Sequence, residues 1–286
     1  MVDAKETKAK IIEEKNDELY KKHNFYKNSN KFIGKVIAIT NQKGGVGKST
    51  TAVNVSSCLG NLDYKTLLVD LDPQYNSTSG LGVSYDDTKS SIYNIIILNS
   101  DPREILLETS FKNLFVIPSS IQLAGAEVEL VSVLKREYKL AMAIDKIRDS
   151  FDFIIIDCPP ALGLLTINAL TCADEVLIPI QCEYYALEGL GQLLSTINLV
   201  RENLNERLEI NGVVMTMYDS RTKLSEQVVE EVKAYFPDKV YRTVIPRNIR
   251  LSEAPSYGKP ISEYDPRCKG AVAYKKLTKE VIENGK

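Results

Sequence analysis

Runs of four or five consecutive apolar residues recur along the chain, separated by longer stretches whose apolar positions return every three or four residues. Val36–Thr40, Thr66–Asp70, Leu114–Ile117, Phe153–Asp157, Glu175–Ile180, Gly212–Met217 and Val240–Val244 read as strands. Ser49–Leu59, Gln122–Val133, Tyr138–Ser150, Ala186–Asn203 and Leu224–Tyr235 read as the helices between them. Strands without polar alternation are covered on both faces, which is the habit of parallel sheets. The pattern therefore predicts an α/β fold, a doubly wound, mostly parallel β-sheet flanked by helices on both faces. Residues 1–33 break it, because Lys5, Lys8 and Lys10 mix with Glu6, Glu13 and Glu14 and apolar residues are sparse. They read as a charged, partly helical N-terminal extension, with a helix near Lys5–Tyr20 and a loop over Asn24–Asn30, either solvated or in contact with a dimer partner or DNA. Residues 34–286 then form a single domain without repeat, low-complexity tract or linker.

Directly after the first strand, Asn41-Gln42-Lys43-Gly44-Gly45-Val46-Gly47-Lys48-Ser49-Thr50 leads into a helix. A buried strand that breaks into glycines before a helix leaves several backbone N–H groups aimed into one hollow, and the helix N-terminus adds partial positive charge. Polyphosphate fits such a hollow. Gly44, Gly45, Val46 and Gly47 bring the backbone to the phosphate oxygens, Lys48 reaches the β and γ phosphates, Ser49 can ligate Mg2+, and Thr50 continues into the helix. The strict motif fails at one place, since Gln42 stands where its first glycine belongs. The loop also carries one lysine, Lys43, beyond the one that a single nucleotide needs.

Two later strands end in carboxylates, at Asp70-Leu71-Asp72-Pro73 and at Asp157-Cys158-Pro159-Pro160. Ligands of open parallel sheets sit beyond the carboxyl ends of the strands, so Asp70, Asp72 and Asp157 should converge on the loop. Asp157 suits the Mg2+ shell of a P-loop NTPase, although an aspartate before Pro-Pro can also cap a turn. Asp72 with Pro73 is likewise a common turn pair.

Composition narrows the chemistry. Of 286 residues, 44% are hydrophobic and 26% charged, and no apolar run approaches the roughly 20 residues that span a bilayer. The N-terminus has no apolar signal segment, which argues for a cytoplasmic protein. Cys58, Cys158, Cys172, Cys182 and Cys268 have neither metal nor disulfide spacing and read as reduced core thiols. The one histidine, His23, lies outside the domain, so a Ser-His or Cys-His pair is excluded. Phosphoryl chemistry, which needs position, metal and lysine, survives.

Lys43–Thr50, Asp70-Leu71-Asp72-Pro73-Gln74, Ile121–Glu127, Asp157–Pro160 and Ile245–Ser256 together resemble the ParA family of DNA-partition ATPases, in particular its Soj branch. The resemblance runs from about Gly34 to the C-terminus; only the longer N-terminal extension departs from it. It implies a homodimer that encloses two ATP molecules with Mg2+, in which Lys43 crosses to the partner's phosphates. Two triphosphates bring about eight negative charges together, a repulsion that needs neutralising. The resemblance further implies that Asp72 orients the attacking water, that Ser49, Asp72 and Asp157 surround the Mg2+, and that Met217, Pro246, Arg247 and Asn248 border the adenine. Lys43, Lys48 and Asp72 are then the catalytic set.

Family positions for sequence-independent contact with double-stranded DNA fall on Arg221 and Arg250, with Lys223 and Arg247 close by in sequence. A net charge of −2 supplies no global basic field, and residues 201–286 hold 16 lysines and arginines against 13 acids, so any affinity must come from a local patch. The implied activity is slow ATP hydrolysis stimulated by a ParB-like partner that releases the protein from the nucleoid. A membrane-positioning ATPase of the MinD type shares the loop and the dimer but requires a C-terminal amphipathic helix. The terminal stretch Tyr274–Glu283 reads as lacking the bulky apolar face and basic flank of such a helix, so no membrane contact is expected. A related iron–sulfur reductase would need paired cluster cysteines, and Cys158 and Cys182 lack the glycine-rich surroundings of such ligands.

Overall fold

Strands β1 (Lys35–Ile39), β2 (Thr66–Asp70), β3 (Leu107–Glu108), β4 (Leu114–Ile117), β5 (Phe153–Asp157), β6 (Glu175–Gln181) and β7 (Glu209–Thr216) form one sheet in the order β3-β4-β2-β5-β1-β6-β7. The structure is a computed structural model that describes residues 34–84, 90–184, 186, 187 and 189–285. The expected helix and loop of residues 1–33, and His23 with them, lie outside the described residues. All strand pairs are parallel except that of the two-residue edge strand β3 with β4. Register places the site: Ile39 and Asp70 both pair with Asp157, so β1, β5 and β2 end level with one another.

Side-chain alternation sends Val36, Ala38, Ile154 and Ile156 to one face of the sheet and Ile37, Ile39 and Ile155 to the other, all fully buried or nearly so. Helices α5 (Lys139–Ile144), α6 (Leu164–Cys172), α7 (Leu190–Asn203) and α8 (Lys223–Tyr235) cover the first face through Leu140, Ala169, Leu193 and Val232. The long helices α1 (Lys48–Asn61) and α11 (Lys269–Asn284) cover the second. Short helices α2 (Asn76–Gly80), α3 (Ile92–Ile96), α4 (Ala126–Leu130), α9 (Ile249–Glu253) and α10 (Ile261–Tyr264) complete the described elements. None of the described helices is long and apolar enough to cross a membrane.

Helix α1 is wedged between the sheet and the C-terminal elements, which explains why so little of it reaches solvent. The Thr51 hydroxyl lies 3.2 Å from the Tyr274 hydroxyl of α11, Ser57 Oγ lies 2.8 Å from Ser262 Oγ, and Asn54 Oδ1 accepts Ile261 N–H at 2.7 Å. Helix α11 corrects the reading of the C-terminus. It does have a bulky apolar face, Tyr274, Leu277, Val281 and Ile282, and that face is buried in the domain.

Other expectations fail for physical reasons. Val240–Val244 is not a strand: it touches β7 through a single bridge at Val240, because the Glu280 carboxylate takes the N–H groups of Arg242 and Thr243 at 2.8 and 3.1 Å. Strand β7 begins at Glu209 and stops at Thr216, since Met217 turns to a positive φ of 51°. Gln122–Val133 resolves into a 3-10 turn and the five-residue α4, with Val128 and Val131 exposed, so no packed stripe sustains a longer helix. Tyr138–Ser150 contracts to α5 between two 3-10 turns, and α7 starts four residues later than the apolar periodicity suggests.

Gly60, near the end of α1, offers a test of this packing. A Cβ there would collide with the Lys112 carbonyl oxygen and lie 3.3 Å from its carbon. Backbone yields less readily than a side chain, so Gly60→Ala should lower stability by about 1–3 kcal/mol. Urea unfolding measures it, and an unchanged midpoint would show that the loop before β4 gives way freely.

Candidate functional site

The glycine-rich loop leaves β1 and is tied down from the β6–β7 side before it enters α1. Asn41 Nδ2 donates to the Pro179 carbonyl at 2.8 Å, and Asn41 Oδ1 accepts Lys43 N–H at 3.0 Å. Thr216, the last residue of β7, donates its hydroxyl to the Val46 carbonyl at 2.8 Å and lies 3.2 Å from the Ile180 carbonyl. Pro179 costs the sheet little here, because its carbonyl faces the side on which β1 has already ended. Gly47, at φ 88°, is the N-cap of α1, and with Gly44 and Gly45 exposed the loop presents backbone rather than side chains to its hollow.

The two lysines of the loop differ. Lys48 is 6% exposed and donates to the Lys43 carbonyl at 3.0 Å. Burial pulls its pKa below the usual lysine value, and the opposing charges of Asp157 and then Asp72 limit the fall. Lys43 is half-buried, and no acidic group among the described residues pairs with its ammonium.

Of the three carboxylates expected to converge, two do so and one is used internally. Asp157 is fully buried, accepts the Ser77 hydroxyl at 2.7 Å, and leaves Oδ1 without a hydrogen-bond partner. Burial raises its pKa, while Ser77, Ser49 and Lys48 oppose the rise. An orphaned carboxylate oxygen beside a serine hydroxyl at the mouth of a phosphate hollow fits a hard cation such as Mg2+. Asp72 is 6% exposed; its Oδ1 accepts Gln74 N–H at 2.9 Å, so it does form the turn, yet Oδ2 has no hydrogen-bond partner among the described residues. Asp70 corrects the expectation of three converging carboxylates. Its oxygens accept Asp72 N–H at 3.1 Å, Thr78 N–H at 2.8 Å and the Thr78 hydroxyl at 2.7 Å, so it builds the turn and anchors α2. Burial, then the neighbouring Asp157, holds its pKa well above the carboxylate range.

Beyond β7, Met217 and Tyr218 run beside Ile245–Arg247, with Tyr218 N–H on the Ile245 carbonyl and Arg247 N–H on the Tyr218 carbonyl, both at 3.0 Å. Met217, Pro246 and Asn248 are half-buried there and Arg247 is exposed. The Asn248 side chain caps α9 by accepting Arg250 N–H at 2.8 Å. Arg221 projects into solvent but is gripped by Asp219, Nε to Oδ1 at 2.9 Å and Nη2 to Oδ2 at 2.7 Å, which holds the Asp219 carboxyl well below its usual pKa. Arg250 pairs with Glu253 at 2.8 Å and lies 3.6 Å from Asp265, and Lys223 opens α8 without an ion-pair partner among the described residues.

Sequence reasoning missed a basic groove of about 480 Å3 between residues 242–246 and α11. Arg242, Arg267, Lys269 and Lys276 line it, and among the described residues only Arg242 faces acids, Glu280 and Glu283 at 3.9 and 3.8 Å. No run of basic residues signals it, because its cations are scattered between positions 242 and 276 of the sequence. Asn41, Ser77, Thr78 and Thr216 were also missed; as ordinary polar residues beside strand ends, they carry no motif of their own.

A family model described as an AAA domain matches residues 34–210. The chain is 59% identical over 253 residues to the sporulation initiation inhibitor protein Soj of Bacillus subtilis, covering 88% of this chain and 100% of that protein. It is 50% identical over 251 residues to the chromosome partitioning protein ParA of Myxococcus xanthus, covering 88% and 89% of the two. Among solved structures, cobyrinic acid a,c-diamide synthase from Mycobacterium smegmatis with bound ATP analog and magnesium superposes with a TM-score of 0.78 at 37% identity, covering 88% of this chain and 95% of the other.

The role found for Asp70 is testable. Asp70→Ala strands the Thr78 and Asp72 N–H groups in a buried site, which should cost on the order of 1–3 kcal/mol in urea unfolding. Turnover should also fall, since Asp72 loses its support, and normal stability with normal turnover would remove Asp70 from the site's architecture.

Proposed function

The chain belongs to the Soj/ParA family of chromosome-partitioning ATPases, and from that premise we propose that its ATP-bound form is a sandwich dimer that holds double-stranded DNA without sequence preference and lets go on hydrolysis. The observation that carries the reading is the pair of lysines on one phosphate loop. Lys48 is committed to its own site, with its ammonium among Asp157, Cys158 and Asp72. Lys43 has no acidic partner among the described residues, as a residue reserved for the partner's triphosphate would require. Identity of 59% to Soj against 37% to the diamide synthase favours partitioning over that chemistry.

ATP is the nucleotide of this reading. Backbone N–H groups of residues 44–50 and the Lys48 ammonium hold its phosphates, and Ser49 and Asp157, with Asp72 alongside, hold Mg2+. Bound there, Mg2+ would supply positive charge against the β and γ phosphates. Asp72, fixed through Oδ1 to Gln74, keeps Oδ2 for a water aimed at the γ phosphorus. Met217, Pro246, Arg247 and Asn248 border the adenine. Intrinsic turnover is slow, with Asp72 the one group among the described residues assigned to that water, and a ParB-like partner bound to cargo DNA accelerates it.

For DNA, the basic groove joins Arg221, Lys223, Arg247 and Arg250, and dimerisation doubles the whole patch. Surface pairs such as Arg221–Asp219 contribute little to stability and can be exchanged for phosphate. The protein acts in the cytoplasm, on the nucleoid. A MinD-type membrane role is disfavoured, since the apolar face of α11 is already covered by its own domain.

Two sets of variants test the proposal. Lys43→Ala should keep nucleotide binding and lose the ATP-dependent dimer in sedimentation, whereas Asp72→Ala should dimerise on ATP and fall about a hundredfold or more in turnover. An unchanged dimer in the first would sink the cross-subunit role, and normal turnover in the second would leave Asp72 a turn former. Arg221→Glu should weaken binding to unrelated DNA sequences equally without affecting the dimer. Loss on one sequence alone would show base readout instead.

A further inference from the structure

Gln42 is the residue by which the loop departs from the strict phosphate-binding pattern, and its side chain has a seat. It lies against the backbone of Gly189, the N-cap of α7, so closely that a Cβ there would stand 2.8 Å from Gln42 Cδ and 3.2 Å from Cγ and would overlap Nε2. Gly189 also adopts φ 78°, a conformation that favours glycine, and a Cβ there would push the Gln42 side chain out of its place. The residues on either side of Gln42 are anchored as well. Asn41 is held on Pro179, and Lys43 is held by its N–H on Asn41 and by its carbonyl on Lys48. Gln42 adds a packing contact with a different element, and no acidic group among the described residues pairs with the Lys43 ammonium at the end of this anchored stretch.

We propose that the Gln42–Gly189 contact positions Lys43 for the partner subunit, so that Gln42 is a positioning residue of the ATP-dependent dimer. The inference rests on the reading of Lys43 as the lysine that crosses. Glycine at position 42 would free two backbone torsions next to Lys43, and the ordering of its long side chain would then fall on the docking step. A seated glutamine restricts that freedom before the partner arrives, which is how preorganisation raises affinity without adding a contact to the interface. The departure at position 42 and the glycine at 189 are thus two halves of one device, 147 residues apart in sequence.

The test compares Gln42→Gly, Gln42→Met, Gly189→Ala and the Gln42→Gly/Gly189→Ala double variant, with Lys43→Ala as reference. A fluorescent ATP analogue reports binding, sedimentation reports the dimer, and steady-state assays separate KM from kcat. Gln42→Gly should bind nucleotide within about twofold of the parent and keep its KM, while the dimer weakens about tenfold and kcat falls with it. Gln42→Met, which refills the seat, should restore the dimer. Gly189→Ala should weaken the dimer, and the double variant should be no worse than the poorer single one, because both changes remove one contact. If Gln42→Gly dimerises like the parent while Lys43→Ala does not, the positioning role fails and the crossing lysine stands. If Lys43→Ala also dimerises normally, both readings fail. Defects that add in the double variant, or a dimer that Gln42→Met does not restore, would also overturn the proposal.

Discussion

Lys48 has to stay charged while only 6% exposed, and the ends of three strands are arranged to allow it. Water would supply that support at the surface; here Asp157 and Asp72 supply it. Asp157 is itself out of water, so it too needs support, which comes from Ser77 and from the lysine. Asp70 then fixes the turn that carries Asp72 and the helix that carries Ser77. Each buried polar group leans on the next, and the series holds only while β1, β5 and β2 end level. A slip of one residue in β2 or β5 would turn its terminal carboxylate toward the opposite face of the sheet.

Helix α1 carries this arrangement into the rest of the molecule. Its N-terminus is the phosphate loop, and its sides are bonded to α10 and α11 through Asn54, Ser57 and Thr51. Through Glu280, α11 in turn holds residues 242 and 243, which line the basic groove. The phosphate hollow and the basic groove therefore share one rigid support, although nearly 200 residues of chain separate them.

The central strands were legible because their apolar runs are unbroken: β2, β4 and β5 have the limits read from sequence, and β1 and β6 differ by a residue or two. Phosphate-loop residues were legible because glycine spacing reports backbone geometry directly. Less visible was whatever depends on a distant partner. Val240–Val244 has a strand's composition, but a glutamate from the last helix takes its N–H groups. The terminal helix looked too polar for an apolar face because its buried residues alternate with lysines, and only the position of α1 shows which side is covered. Asp70 and Asp72 are equal as letters, and they part only when Thr78 closes on one of them. The basic groove has no sequence signature, since folding alone brings residues 242 and 267–276 together.

The grip of Asp219 on Arg221 has a consequence for how charge is counted. Counterion release from DNA is driven by cations that arrive without acids of their own. Arg221 is already neutralised within the protein, and a phosphate that takes it sets a carboxylate free to gather ions from solution. Arg250 stands in the same position with Glu253. If this surface binds DNA as proposed, the number of its arginines overstates how steeply affinity would fall with salt, and Arg267, Lys269 and Lys276, which lack ion-pair partners among the described residues, would reach phosphate without releasing an acid of their own.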